Sequence, residues 1–262
     1  MGLIREGLLI LACVLLFMSF LVGSLFLTME KSLEYETLKP ELFSVVKNIA
    51  EKDANLTKVV NENLQLMNLY CLNNSNYVFK EKDYVFEIPW IVVAEGSDAV
   101  INYGISNIID RVYYDSYDCG FWECLGKEKY PFVFVSEKAK NYWAGKFYLV
   151  LIFSFILIIL IFILAEKKSN AFILPGSLLI ISALPFYKIN WLLEFSNSQI
   201  IQFFTVFLSK AYEVFKISFI IGLIFLIIGF IFKFFSIGVK IDEFFSKFGK
   251  KEVSENEVKE IV

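Results

Sequence analysis

The sequence contains no histidine among its 262 residues. Histidine is the commonest general base and the commonest metal ligand in proteins, so its absence removes the simplest routes to catalysis. We find no catalytic signature elsewhere in the chain, and the four cysteines match no zinc-binding spacing. We therefore predict that the protein is not an enzyme, that it has no catalytic or metal-binding residues, and that it needs no cofactor.

Positive charge is not in excess either. Lys and Arg number 25 against 28 Asp and Glu, which gives a formal net charge of −3. A nucleic-acid-binding protein presents a basic surface, so nucleic acid is excluded as a partner. Hydrophobic residues make up 57% of the chain, whereas soluble domains are about 45–50% apolar. The surplus predicts a protein that resides in a lipid bilayer.

Four runs with little or no charge are each long enough to cross a bilayer, which takes about 20 apolar residues. They are Gly7–Met29, Phe147–Ala165, Ala171 to about Leu193, and Ala211–Phe235. The first run is longer than the apolar core of a cleaved signal peptide, which is the alternative there. Gly222 and Gly229 share one face of the fourth run and predict a packing seam. Phe195–Ser209 is amphipathic and is either an interfacial helix or the beginning of the fourth span.

The long polar segment between the first two runs has the pattern of an α+β domain. Apolar residues at helical spacing follow Pro40 and recur over 56–71 and 97–112, while residues 77–88 alternate as a β-hairpin does. Ser136 is placed to cap a helix that continues into the second span. The predicted fold class is a membrane protein, mainly α, with four transmembrane helices and an extracytoplasmic α+β domain inserted between the first and second. The predicted domains are 1–29, the first transmembrane helix; 30–145, the α+β domain; 146–235, transmembrane helices two to four; and 236–262, an amphipathic cytoplasmic tail with a disordered end.

Orientation follows the Lys and Arg residues that flank the spans. Arg5, Lys167, Lys168 and most lysines after residue 232 lie on one side, and few lie in the opposite short loop. We therefore expect a multi-pass protein of the cell (plasma) membrane, with both termini cytoplasmic and residues 30–145 outside. Glycosylation sequons at Asn55 and Asn73 fall in this outward segment.

Three of the four cysteines also lie in the outward segment, where disulfides are stable. The candidates are Cys71, Cys119 and Cys124. Either Cys119 and Cys124 close a small loop, or Cys71 pairs with one of them; the second arrangement is favoured because a longer loop gains more chain entropy. A catalytic thiol pair is a further alternative, although such pairs generally use Cys-x-x-Cys and this spacing is Cys-x4-Cys.

An aromatic run in the same segment is a candidate interaction loop, because Tyr and Trp are enriched in binding surfaces. It comprises Tyr113, Tyr114, Tyr117, Phe121 and Trp122. The alternative is an underside packed against lipid headgroups. The predicted function is non-enzymatic and acts through the outward domain, by assembly, adhesion or membership of a membrane complex. The partners are the bilayer and either another protein or a second copy. A membrane sensor or receptor for a small ligand, and a membrane thiol oxidoreductase, are the alternatives.

Overall fold

The computed structural model describes residues 2–53, 56–81, 84–126, 132–189 and 205–259. It is mostly helical, at 85%, and four helices are long and apolar enough to cross a membrane. Both features are predicted by the sequence and are confirmed. The elements in chain order are α1 (Gly2–Ser32), α2 (Tyr35–Asp53), α3 (Leu56–Cys71), β1 (Asn76–Glu81), β2 (Tyr84–Pro89), α4 (Trp90–Glu95), α5 (Ser97–Tyr114), α6 (Phe121–Leu125), α7 (Glu137–Leu164), α8 (Lys168–Ala183) and α9 (Ala211–Lys259).

These elements form two compact units. The membrane unit comprises Met1–Leu25, Phe147–Lys188 and Tyr212–Val262, and the polar unit comprises Phe26–Lys146 and Ile189–Ala211. Helices α1 and α7 each contribute residues to both units, because each continues from an apolar span into polar sequence.

In the membrane unit, α1 and α7 run antiparallel with small side chains at their contact. Ser19 Oγ and Ser154 Oγ lie 2.7 Å apart, and a Cβ added at Gly23 would come within 3.3 Å of the Val150 side chain. A hydroxyl in hydrocarbon has no water to bond, so the serine pair satisfies two polar groups at once. On the outer side of α7 the apolar side chains are exposed, as Ile163 is at 68%, and the bilayer is the solvent that suits them.

Helices α8 and α9 approach each other closely along three glycines. A Cβ added at Gly176 would lie 2.8 Å from the Gly222 carbonyl oxygen. A Cβ added at Gly222 or at Gly229 would lie 2.6 Å from an isoleucine side chain. Real Cβ atoms essentially never come under 3.0 Å, so a larger residue fits only if the helices move apart. The predicted seam on the fourth span is confirmed, and Gly176 is its counterpart on α8.

Two helix ends differ from their predicted positions. Helix α8 ends at Ala183 and a 3₁₀ turn covers Leu184–Tyr187, whereas the sequence predicts a span to about Leu193 that Pro185 either kinks or ends early. Pro185 has no N–H to continue the helical ladder, which explains the early end. The backbone of α9 is helical to Lys259, where the sequence predicts a disordered end. Residues 250–259 contain no Gly or Pro, so nothing in that stretch stops the helix from continuing.

The main core of the polar unit packs α2 against α5. Its buried residues are Leu33, Leu38, Leu42, Ile101, Ile105, Ile109, Tyr113, Phe121, Val135, Ala139 and Val206. Ser136 caps α7 beneath this core as predicted, because the Ala139 N–H donates to its Oγ at 3.3 Å.

One member of this core comes from the chain between the third and fourth spans. Val206 is 1% exposed, the Phe207 ring lies 6.1 Å from that of Phe134, and the Lys210 N–H donates to Ser32 Oγ at 3.1 Å. Residues 195–204 of the amphipathic segment lie outside the described part of the chain. Its last residues therefore pack into the polar unit, which neither sequence interpretation includes.

A second core lies under the hairpin. Strands β1 and β2 pair antiparallel, with Asn76 opposite Pro89, which confirms the predicted hairpin. Beneath them, Met67 of α3 packs with Ile88, Val93 and Val100. Helix α3 therefore has one face in this core and the other directed away from it.

Candidate functional site

The five aromatic residues of the predicted interaction loop do not form one exposed surface. Tyr113 and Phe121 are buried in the main core, with exposures of 3% and 7%. Tyr117 is half-buried and its hydroxyl donates to a main-chain carbonyl oxygen at 2.8 Å. Tyr114 and Trp122 are exposed. Residues that are neighbours in the sequence do not all point their rings the same way. Most of these aromatic residues pack inside the domain and do not contribute to a binding surface.

Trp122 instead belongs to an aromatic cluster at the beginning of α7. Its Nε1–H donates to Tyr142 Oη at 2.7 Å, and the ring of Phe121 stacks on Tyr142 with 4.5 Å between centroids. The Lys146 ammonium lies 5.3 Å from the centroid of the same tyrosine. Tyr142 is five residues, or about 7.5 Å along a helix, before the apolar run that begins at Phe147. Aromatic residues and lysine beside a span are typical of the headgroup region, so the geometry favours the lipid interpretation of this segment.

The disulfide joins Cys119 to Cys124, whose Cα atoms lie 5.4 Å apart, and Cys71 is free. The favoured pairing of Cys71 with one of these two residues is therefore wrong, and the small-loop alternative is the observed one. The reason is local: the Cys124 N–H donates to the Gly120 carbonyl oxygen at 2.8 Å, so one turn of α6 brings the two cysteines together. The entropy of loop closure depends on the length of the loop alone, so an argument from it cannot predict this local geometry.

The two sequons differ in what the structure shows. Asn73 is exposed in the turn that follows α3, so its side chain is accessible to a transferase. Asn55 lies outside the described residues. Glycosylation at either position stays a prediction.

A polar network links α2 to α5. Asp110 accepts hydrogen bonds from Tyr35 Oη at 2.6 Å and from Lys39 Nζ at 3.0 Å, and Lys39 also donates to Tyr35 Oη at 2.8 Å. The hydrogen bond to Asp110 raises the pKa of Tyr35. Burial acts to lower the pKa of Lys39, but its hydrogen bonds to Asp110 and Tyr35 outweigh this and raise it. A catalytic acid or base needs a pKa near the working pH, whereas the pKa values of Tyr35 and Lys39 are both raised further above it. The network is therefore suited to holding α2 against α5.

Tyr113 is the buried ionisable group at the centre of the main core. Its hydroxyl donates to the Leu33 carbonyl oxygen at 2.9 Å. Burial raises the pKa of Tyr113 to about 12, and the nearby Glu137, Tyr114 and Glu34 add to the shift. The folded protein therefore holds this phenol neutral under conditions in which an unfolded chain would begin to ionise it.

We expect stability to fall as the pH rises from about 10 to 12, because the unfolded chain loses the Tyr113 proton near pH 10 while the folded protein retains it to about 12. Below that window the contribution of Tyr113 is fully present. Thermal unfolding followed across the window measures the decline. Tyr113→Phe should start about 1 kcal/mol less stable, because it lacks one hydrogen bond, and should decline less steeply. Parallel profiles for the two proteins would contradict the assignment.

The outer side of α3 carries an exposed apolar surface. Leu66, Leu69 and Leu72 are 65%, 66% and 78% exposed, and Gln65 and Asn68 border a shallow groove that Leu69 and Leu72 also line. We call these five residues the α3 face. An apolar centre with a rim of uncharged polar groups is the usual anatomy of a protein interface.

The stretch of sequence that carries this face is uncharged. From residue 63 to residue 79 the sequence contains no Asp, Glu, Lys or Arg, although it lies in the polar unit. Depletion of charge is the compositional mark of an interface centre, whereas a merely solvated surface is normally rich in charge.

Sequence reasoning missed the α3 face because it looked for one apolar stripe on this helix. That stripe, which includes Val60, Leu64 and Met67, is the side that packs in the cores. The available signal was a helix with leucines on both sides and no charge on either over its last two turns. Such a helix buries one side in its own domain and leaves the other for a different surface.

Comparison with known proteins gives no family and no neighbour. No protein-family model, no curated protein and no solved structure matches the chain. Its function has to be inferred from its own residues.

Proposed function

We propose that the protein is a non-enzymatic, multi-pass protein of the cell membrane that self-associates through the α3 face of an outward α+β domain. The domain corresponds to the polar unit, and both termini are cytoplasmic. In this proposal the four spans anchor the domain, and the contact between copies builds an assembly at the membrane surface.

The observation that carries the proposal is the exposure of Leu66, Leu69 and Leu72 within an uncharged stretch. Full burial of a leucine contributes about 1.5–3 kcal/mol relative to leaving it in water. These three leucines are exposed together outside the spans. Covering them with a second surface would bury them and stabilise the complex.

A second copy is the occupant that suits this surface. A two-fold contact places the same residues of each copy opposite one another, so a charged face would repel itself. The α3 face has no charge to repel, and it also offers no charge by which a different, charged partner would be selected.

Two packing arrangements support the proposed sidedness. Val206, which follows the third span, is buried in the same core as α2 and α5, which follow the first. At the other end, Arg5 Nε donates to the Leu164 carbonyl oxygen at 2.7 Å, so the N-terminal end and the turn after the second span lie together. Both arrangements agree with spans that alternate in direction, and the Lys and Arg bias then places the polar unit outside.

The oxidoreductase alternative is disfavoured by burial. Cys119 is 7% exposed and Cys124 is 0% exposed. Thiol–disulfide exchange requires a thiolate to reach one of the sulfur atoms, so an enclosed bridge is poorly placed for it. A structural role for this disulfide agrees with a non-enzymatic protein.

The proposal is tested with the full-length protein in nanodiscs and in native membranes. We expect wild type to be a dimer by mass photometry, and Leu69→Glu to lower the association constant by at least about tenfold, because each copy loses about 1.5–3 kcal/mol of leucine burial. Val59→Glu is the matched control: Val59 is 49% exposed on the same helix but lies beside Lys58 and Glu62, outside the uncharged stretch.

The same variants decide whether a second copy of the protein binds to the α3 face. A wild-type protein that stays monomeric, or a dimer that Leu69→Glu and Val59→Glu weaken equally, would overturn self-association through this face.

The sidedness of the polar unit is checked by adding protease to intact cells. Cleavage of the polar unit only after permeabilisation would overturn the outward placement.

A further inference from the structure

The membrane unit contains a cleft of about 270 Å³ where α1 begins, α7 ends and α8 begins. Five polar side chains line its rim: Arg5, Glu6, Glu166, Lys167 and Asn170. The candidate spans in this region start at Ile4, end at Leu164 and start again at Ser169. The rim therefore lies at the ends of three spans, at the depth where lipid headgroups meet a membrane protein.

Below the rim the cleft is apolar. Leu9, Leu164 and Leu174 line this part, and Leu9 and Leu174 pack against the small buried core of α1 and α7. A site with charged groups at its mouth and leucines beneath matches a molecule that has a charged head and a hydrocarbon chain.

Arg5 is held in place by the protein itself. Its Nε–H donates to the Leu164 carbonyl oxygen at 2.7 Å, and Nη1 lies 3.7 Å from Glu166 Oε1. A guanidinium carries five N–H donors, and the hydrogen bond to Leu164 uses one of them. The remaining donors are pre-oriented, which is the arrangement that suits a phosphate.

The charges of the rim balance. Arg5 and Lys167 are cationic, while Glu6 and Glu166 are anionic, so a headgroup with a net negative charge would leave the cleft with an excess of negative charge. A zwitterion avoids this conflict, because its phosphate can take the two cations and its ammonium can take the two carboxylates.

We propose that this cleft binds a phosphate joined to a primary ammonium, presented as the headgroup of an amine-bearing zwitterionic phospholipid. The phosphate lies on Arg5 and Lys167 with Asn170 beside it, and the ammonium lies on Glu6 and Glu166. The acyl chains follow the leucines of α1 and α8. The site is independent of the α3 face and of self-association.

Native mass spectrometry of the purified full-length protein tests the site, with added phosphatidylethanolamine, phosphatidylglycerol or free O-phosphoethanolamine. We expect wild type to retain the ethanolamine lipid about tenfold better than the glycerol lipid, since two exposed charge contacts that are each weak act together. The double variant Glu6→Gln with Glu166→Gln should lose this preference. Lys167→Gln should weaken retention of both lipids.

Two controls change the same residue types elsewhere. Lys233→Gln alters an exposed lysine at the end of another span, and Glu95→Gln alters an exposed carboxylate of the polar unit. Both should retain lipids as wild type does. Equal retention of the two lipids by wild type, or a preference that survives the double variant, would overturn the site. Binding of free O-phosphoethanolamine as tightly as the lipid would overturn its assignment to a membrane lipid.

Discussion

Replacing Gly222 by valine should separate the third and fourth spans and destabilise the membrane unit by about 3 kcal/mol, at the upper end of what overpacking costs. A Cβ at this position would lie 2.6 Å from Ile180 Cγ1 and 2.9 Å from the Gly176 carbonyl oxygen. The second clash is with backbone, which cannot rotate away as a side chain can. Helix contact in a bilayer rests on close packing rather than on the hydrophobic effect, so the loss is not recovered elsewhere.

Gly145→Val is the matched control for this substitution. Gly145 lies in α7, and a Cβ added there has nothing within 4 Å. Thermal unfolding of both variants in the same detergent should show a clear loss for Gly222→Val and little change for Gly145→Val. Equal behaviour would mean that the glycine seam does not hold the two spans together.

The parts of the fold that the sequence predicts are those set by local pattern. A span is recognised because twenty uncharged apolar residues have no other stable environment. The hairpin, the Ser136 cap and the glycine face of the fourth span follow from spacing within one element. Each is a statement about neighbours in the chain, which the sequence gives directly.

The features that the sequence does not predict depend on contacts between distant segments. The bond between Cys119 and Cys124 depends on the short helix α6, and five residues are too few for a helical pattern to show. The α3 face became visible only when the structure showed which side of α3 the cores occupy. The spacing of apolar residues shows that a helix has two apolar sides, but it does not show which surface packs against either side.

Val206 is the clearest case of a contact between distant segments. By composition, Phe195–Ser209 fits a membrane interface or a helix beginning, and nothing in it specifies the polar unit as its destination. Only the three-dimensional packing shows that this residue fills a core whose other buried members all lie more than sixty residues earlier in the chain. Because such a contact requires the segments after the first and third spans to lie on one side of the membrane, Val206 is also the most useful position for testing the architecture.

Val206→Asp should unfold the polar unit while leaving the spans in the membrane. The substitution places a carboxylate in a core where Val206 is 1% exposed, and an uncompensated buried charge costs about 3–5 kcal/mol, which is a large part of the stability of an ordinary domain. Limited proteolysis of the full-length protein should then cut within residues 30–145 at protease concentrations that leave wild type intact.

Val59→Asp makes the same chemical change at a position of the polar unit that is 49% exposed, and it should resist protease as wild type does. Val206→Ala, which leaves only a small cavity, should lie between the two. If Val206→Asp were as resistant as Val59→Asp, the segment after the third span would not be part of the polar core. The packing support for placing both segments on the same side of the membrane would then be lost, and the Lys and Arg bias alone would remain for the topology.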